Sequence, residues 1–196
     1  MSLIVIIRDH IAASIAVKQA ILADENLIGQ IEKLVVDCVK CLQCGGKVIF
    51  AGNGGSFADA QHLSAEFISR FMFDRAPLAS LVLGANNSAI SAIGNDYGYE
   101  QVFARELQGV AKPGDVFIPI TTSGNSRNIL VAVEQAKKQG LTTVAFTGEG
   151  GGKLAALCDC LRVPSRETAR IQESHIMIGH IVCGMVEQAY FAGTKQ

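Results

Sequence analysis

No stretch of this 196-residue chain is apolar for long enough to span a membrane, and its beginning, MSLIVIIRDH, lacks the positive flank of a secretory signal. Neither sign of charge is in excess. Lys and Arg total 17 against 18 Asp and Glu, a net charge of −1, which excludes a broad nucleic-acid or anionic-membrane surface. A cytoplasmic protein is expected. Charged residues are scarce at 18% and hydrophobic ones abundant at 49%, so the chain can fill a sizeable core and bury further surface between subunits. It is too short for a TIM barrel and suits one domain, residues 1–196.

Common motifs are missing too. Six cysteines include Cys41 and Cys44 in a CxxC pair, but no second pair follows. With Cys38 they recur every three residues inside an apolar helical pattern, where buried thiols act as small hydrophobes. The GGGK of Gly150–Lys153 is followed by Leu and is no Walker loop. Gly52, Gly54 and Gly55 do not spell the dinucleotide-binding GxGxxG.

The chain is instead organised around residues 47–71, KVIFAGNGGSFADAQHLSAEFISRF. An apolar run, Val48 to Phe50, breaks at Asn53–Ser56 and passes into a helix patterned by Ala60, Leu63 and Phe67. Ser56 or Asp59 is expected to serve its first turn. A glycine-rich turn leading into the positive end of a helix suits a phosphate or a polar sugar. His62 and Glu66, four apart, share one face and can hold a metal or handle a proton; a surface ion pair is the plainer alternative. Their position beyond a strand's carboxyl end favours the functional reading.

The remaining chain alternates. Two helices, about Leu3–Leu22 and Asn26–Leu42, precede the first strand, and residues 1–45 are expected to serve oligomerisation while 46–196 form an α/β core. Strands follow at Leu78–Leu83, Val116–Ile120, Thr142–Thr147 and Cys160–Val163, with Ile93–Tyr99 read as a polar loop. Pro119 is awkward in a central strand. Thr121, Thr122, Ser123 and Ser126 form a second strand-to-loop-to-helix junction, rich in hydroxyls that suit a phosphate. A long apolar helix near the end carries Gln172, His175 and His180. His175 is expected at a surface or interface, and composition alone would make His180 a core histidine. Gln172 and His180 stand roughly 12 Å apart along a straight helix, so spacing does not decide whether they share a site. The fold expected is a three-layer α/β/α sandwich on a parallel five-stranded sheet, with an N-terminal helical pair.

Taken together, AGNGGSFADAQHLSAEF, AIGNDYGYE, TTSGNS, GGGK and RIQESHIMIGHIVCGMVE resemble the sugar isomerase (SIS) domain, and more closely the phosphoheptose isomerase family. The resemblance covers nearly the whole chain. It implies an aldose-ketose isomerase acting on D-sedoheptulose 7-phosphate to give D-glycero-D-manno-heptose 7-phosphate, for lipopolysaccharide or a related surface glycan. It further implies a homotetramer with sites between subunits and one Zn²⁺ per subunit, held by His62, Glu66, Gln172 and His180. Substrate contacts would come from Asn53, Gly54, Gly55, Glu66, Asn95, Asp96, Thr121, Thr122, Ser123, Ser126 and Gln172. Glu66 would be the carbon base and His180 the acid and base at oxygen. The GANNS segment, Gly84–Ser88, departs from the family pattern. The alternative is a non-catalytic protein of the same fold that binds the replication initiator DnaA; such proteins carry other residues at the positions of Glu66 and His180.

Overall fold

Five strands, β1 (Val48–Gly52), β2 (Ser80–Val82), β3 (Val116–Ile120), β4 (Thr142–Gly148) and β5 (Asp159–Val163), pair in parallel in the order β2-β1-β3-β4-β5. They belong to a computed structural model that describes residues 2–192. Side chains alternate across each strand and so feed two cores. Val48, Phe50, Ile118, Phe146 and Val163 enter one; Ile49, Ala51, Phe117 and Ala145 enter the other.

Helices α2 (Glu25–Gln43), α3 (Gly55–Ile68) and α7 (Thr168–Phe191) cover the first face. Helices α5 (Val102–Val110) and α6 (Arg127–Lys138) cover the second, which completes the three layers expected from the alternating pattern. Cys38 and Cys41 lie buried in the first core on α2, as their helical spacing suggested.

Helix α1 (Leu3–Ala23) is different. Ile21 is its one buried residue, while Leu3, Ile4, Ile7, Ile11 and Ile15 are all more than half exposed. Polar ties hold it to α7, with Lys18 Nζ 2.9 Å from Glu173 Oε1 and Arg170 donating to the His10 carbonyl at 2.7 Å.

The chain passes from β1 outward to β2 and then returns across β1 to β3. The loops after β1 and β3 therefore diverge and leave a crevice at the carboxyl ends, which is where open α/β sheets take ligands. Pro119 sits within the central strand after all. It is aligned with Ala51 of β1, and the register with β4 lapses at Ile118 and Pro119, where the ring offers no N–H.

Two local expectations are corrected. Ile93–Tyr97 is not a loop but the end of helix α4 (Asn87–Tyr97). The Asn86 side chain accepts from the Ala89 N–H at 3.1 Å, Ile90 and Ile93 pack on the second core, and the Arg105 guanidinium covers the Tyr97 ring at 3.6 Å. Capping and packing thus override the weak helix preference of Gly94, Asn95 and Asp96. His175, expected at a surface, is fully buried. It packs against Phe146, and its Nε2 lies 3.1 Å from the Thr147 carbonyl oxygen.

Candidate active site

Helix α3 begins in the crevice. Gly54 takes φ +56°, a conformation that suits glycine, and no side chain caps the helix it introduces. Ser56 is buried rather than capping, and the first turn holds no acidic residue, so neither Ser56 nor Asp59 has the capping role expected of it. The amino end of α3 is left with its positive dipole facing the crevice.

On the far side of the crevice, Thr121 Oγ1 and Ser126 Oγ lie 3.2 Å apart. Gly148 N–H donates to the Thr122 carbonyl at 3.0 Å, and Asn125 N–H to Ser123 Oγ at 3.1 Å. This loop is braced from behind. Lys153 N–H donates to Asn125 Oδ1 at 3.1 Å, and a Cβ on Gly124, at φ +65°, would come within 2.1 Å of the Gly151 carbonyl oxygen. The hydroxyl loop is therefore rigidly seated at the end of β3, beside the amino end of α6.

Asn128 joins the two sides. It is buried in the first turn of α6 and exchanges amide hydrogen bonds with Asn53, whose Oδ1 also accepts from the Tyr99 hydroxyl at 3.3 Å. Neither Asn128 nor Tyr99 figured among the expected site residues. A buried asparagine beside a ligand loop was the available signal for the first.

Two turns along α3, imidazole and carboxylate groups cluster. His62 Nε2 stands 2.7 Å from His180 Nε2, and Glu66 Oε1 stands 3.3 Å from His62 Nε2. Ligand atoms of His62, Glu66 and His180 all fall within 4.8 Å of one another. Gly179 makes this possible. A Cβ there would lie 2.5 Å from Leu63 Cδ1, so its absence lets α3 and α7 approach where the two histidines meet. His180 is half-buried and faces the site, not the core.

Two imidazole nitrogens at 2.7 Å cannot both present lone pairs; they need a shared proton or a cation between them. Asp59, one turn earlier on α3, adds a buried Oδ2 with no hydrogen-bond partner. Burial pushes its carboxyl up from the usual range, opposed by the charges His62 and His180 can carry. Two imidazoles and a carboxylate form a donor set that suits Zn²⁺, and the unpartnered oxygen nearby is a further attraction for a cation.

The other expected residues distribute around this cluster. The Gln172 amide rests against Gly55, where a Cβ would lie 2.7 Å from its Nε2. It occupies the loop end of the site, two turns before His180 on α7. Asn95 and Asp96 are exposed on α4 and line an open depression with Ser88 and Ser91, apart from the histidine cluster within this chain. Asn95 Nδ2 donates to Asp96 Oδ1 at 2.8 Å.

A family model described as SIS domain matches residues 10–148. A phosphoheptose isomerase of Aneurinibacillus thermoaerophilus is 56% identical over 186 residues, covering 94% of each chain. Phosphoheptose isomerase 2 of Campylobacter jejuni is 52% identical, covering 94% of this chain and 92% of its own. Among solved structures, a phosphoheptose isomerase from Francisella tularensis superposes with a TM-score of 0.91 at 35% identity, over 96% of this chain and 100% of that one. One from Neisseria gonorrhoeae gives 0.86 at 39% identity, over 94% and 99%.

Proposed function

The chain belongs to the SIS domain family, and within it to the phosphoheptose isomerases, and from that premise we propose a specific reaction and site. The reaction is the interconversion of D-sedoheptulose 7-phosphate and D-glycero-D-manno-heptose 7-phosphate. The observation that carries the site is the meeting of His62, Glu66 and His180 at the carboxyl edge of a doubly wound sheet.

Moving a carbonyl from C2 to C1 requires removal of a proton from C1, an enediol, and return of a proton at C2. Glu66 takes the carbon-bound proton and returns it at the neighbouring carbon. His180 carries protons to and from the sugar oxygens, the second proton-transfer role the reaction needs. His62, Glu66 and His180, with Gln172 from the loop end, are the residues that would hold Zn²⁺, which would supply Lewis-acid polarisation of the carbonyl when bound.

The phosphate is received by Thr121, Thr122, Ser123 and Ser126 beside the amino end of α6, and the sugar by Asn53, Gly54 and Gly55. Asn95 and Asp96, which lie apart from the cluster within one chain, reach a sugar at a neighbouring subunit's site. The exposed apolar stripe of α1 supports assembly with further copies, read as a homotetramer with residues 1–45 at the interface. A sugar-phosphate substrate fits a cytoplasmic location, and among the described residues no helix is long and apolar enough to cross a membrane. The product supplies heptose for lipopolysaccharide or another surface glycan.

The alternative reading, a non-catalytic partner of DnaA, is not supported: relatives at 56%, 52% and 50% identity are phosphoheptose isomerases, and both Glu66 and His180 are present. Mixing the protein with sedoheptulose 7-phosphate and Zn²⁺ and following the aldose product tests the proposal. Absence of turnover there would overturn it.

A further inference from the structure

His180 is held by little of its own making. Its ring has a single hydrogen bond among the described residues, between its Nε2 and His62 Nε2, and rotation of an imidazole about its Cβ–Cγ bond is only broadly restrained. A second ring lies over it. Phe71, just beyond the end of α3, stacks on His180 with centroids 5.5 Å apart and planes inclined by 19°.

Phe71 is itself fastened from outside the site. Glu187 accepts from the Phe71 N–H at 2.9 Å and from the Met72 N–H at 2.6 Å, and Arg75 Nε donates to the same carboxylate at 2.8 Å. Arg75 then turns to α3, donating to the carbonyls of Glu66 and Phe67 at 2.7 Å each. Burial alone would raise the Glu187 carboxyl, but the two N–H groups and Arg75 outweigh it and hold the group below its ordinary range. Arg75 and Glu187 are 3% and 0% exposed, so solvent does not loosen the pair.

The stripe on α7 is regular. His180, Gly184 and Glu187 follow at spacings of four and three, one above another on a single face. Gly184 leaves the space the ring occupies, since a Cβ there would lie 3.3 Å from Phe71 Cε1 and 3.6 Å from Met72 Sδ.

We propose that Phe71 is a positioning residue for the isomerisation: clamped by Glu187 and Arg75, its ring fixes the plane of the His180 imidazole so that Nε2 faces His62 and Glu66. The same clamp caps the carboxyl end of α3, so one buried ion pair registers the two helices that carry the reacting groups. The inference rests on the isomerase reading for its kinetic consequence, though not for the stacking itself.

The test compares Phe71→Leu, which removes the ring, with Phe71→Tyr, which keeps it. In Phe71→Leu, kcat falls by at least roughly tenfold with KM within about twofold, as expected when a reacting group is misaligned and binding is not. Phe71→Tyr restores kcat to within about twofold of the starting protein, because a ring again lies over the imidazole. In histidine-labelled protein, the His180 imidazole C–H signals lose their ring-current displacement in the leucine variant and keep it in the tyrosine variant.

Unchanged kcat in a folded Phe71→Leu protein whose His180 signal has moved would overturn the proposal. So would a His180 signal that does not move. If Phe71→Leu fails to fold, Gly184→Ala presses on the ring instead; it lowers kcat by about twofold or more in a protein that circular dichroism shows to be folded. A wild-type kcat in that variant would count against the proposal. Should the unsubstituted protein itself not turn over sedoheptulose 7-phosphate, the isomerase reading fails, while the imidazole signals still report on the stacking.

Discussion

Asn53 and Asn128 exchange two amide hydrogen bonds, 3.0 and 2.9 Å long, across the crevice between the ends of β1 and β3. One residue opens the glycine loop and the other lies in the first turn of α6, so the pair fixes the gap between the glycine-rich loop and the hydroxyl-rich loop. Asn128→Ala leaves the Asn53 amide without that partner, at a cost of about 1–3 kcal/mol in stability. KM for the sugar phosphate rises, with a smaller effect on kcat. Chemical denaturation and steady-state kinetics check this; an unaltered KM would show that the gap does not depend on the pair.

Removing the proposed base tests the chemistry with little change of shape. Glu66→Gln lowers turnover by about 10²–10⁴-fold, the usual worth of a positioned acid or base, while circular dichroism and oligomeric state stay as they were. His180→Gln is equally severe and also lowers bound zinc, measured by elemental analysis. Full metal content in that variant would remove His180 from the ligand set.

Gly55 offers a way to move Gln172 without touching it. Its φ is not in the left-handed region, so alanine is not strained there, but the new Cβ would lie 2.7 Å from Gln172 Nε2. Gly55→Ala displaces the amide and weakens zinc affinity by roughly tenfold or more, the scale seen when groups that hold a metal site are disturbed. Competition with a chelator measures it. Equal affinity in the two proteins would place Gln172 outside the metal's reach.

His175 makes stability depend on acid. Burial lowers its pKa from 6.5 to about 4 against the raising effect of its bond to the Thr147 carbonyl, and its Nδ1 has no partner. The unfolded chain therefore binds more protons between those values. This contribution is fully present above pH 6.5 and is lost as pH falls toward 4, about 3 kcal/mol in all. Urea denaturation across that window should show a slope that flattens in His175→Gln; an equal slope in both proteins would exclude His175 as its source.

Much of this was legible before folding. Each short apolar run that ends in Gly, Asn, Ser or Thr marks a strand entering a ligand loop, and all five strands were expected near where they occur. His62 and Glu66 could be paired from spacing alone, because a helix fixes its own neighbours. The histidines of α7 could not be sorted. Apolar residues surround that helix, so no face was marked as inward; the structure reversed the expectation for His175, which is buried, while His180, a core residue by composition alone but a site residue by the family resemblance, lies beside His62. Glycines at 94 and 98 likewise suggested a loop where the Asn86 cap and the packing of Ile90 and Ile93 make a helix.

The sequence by itself determined the parallel α/β architecture, the two glycine- and hydroxyl-rich junctions and the His62–Glu66 half of the cluster that His180 completes, since these follow from local geometry and side-chain period. Only the tertiary structure decided that His180 meets His62 and that Asn128 meets Asn53. Those partners lie 118 and 75 residues apart in the chain, and what joins them is helix packing through Gly179 and the reversal of strand order between β1 and β3.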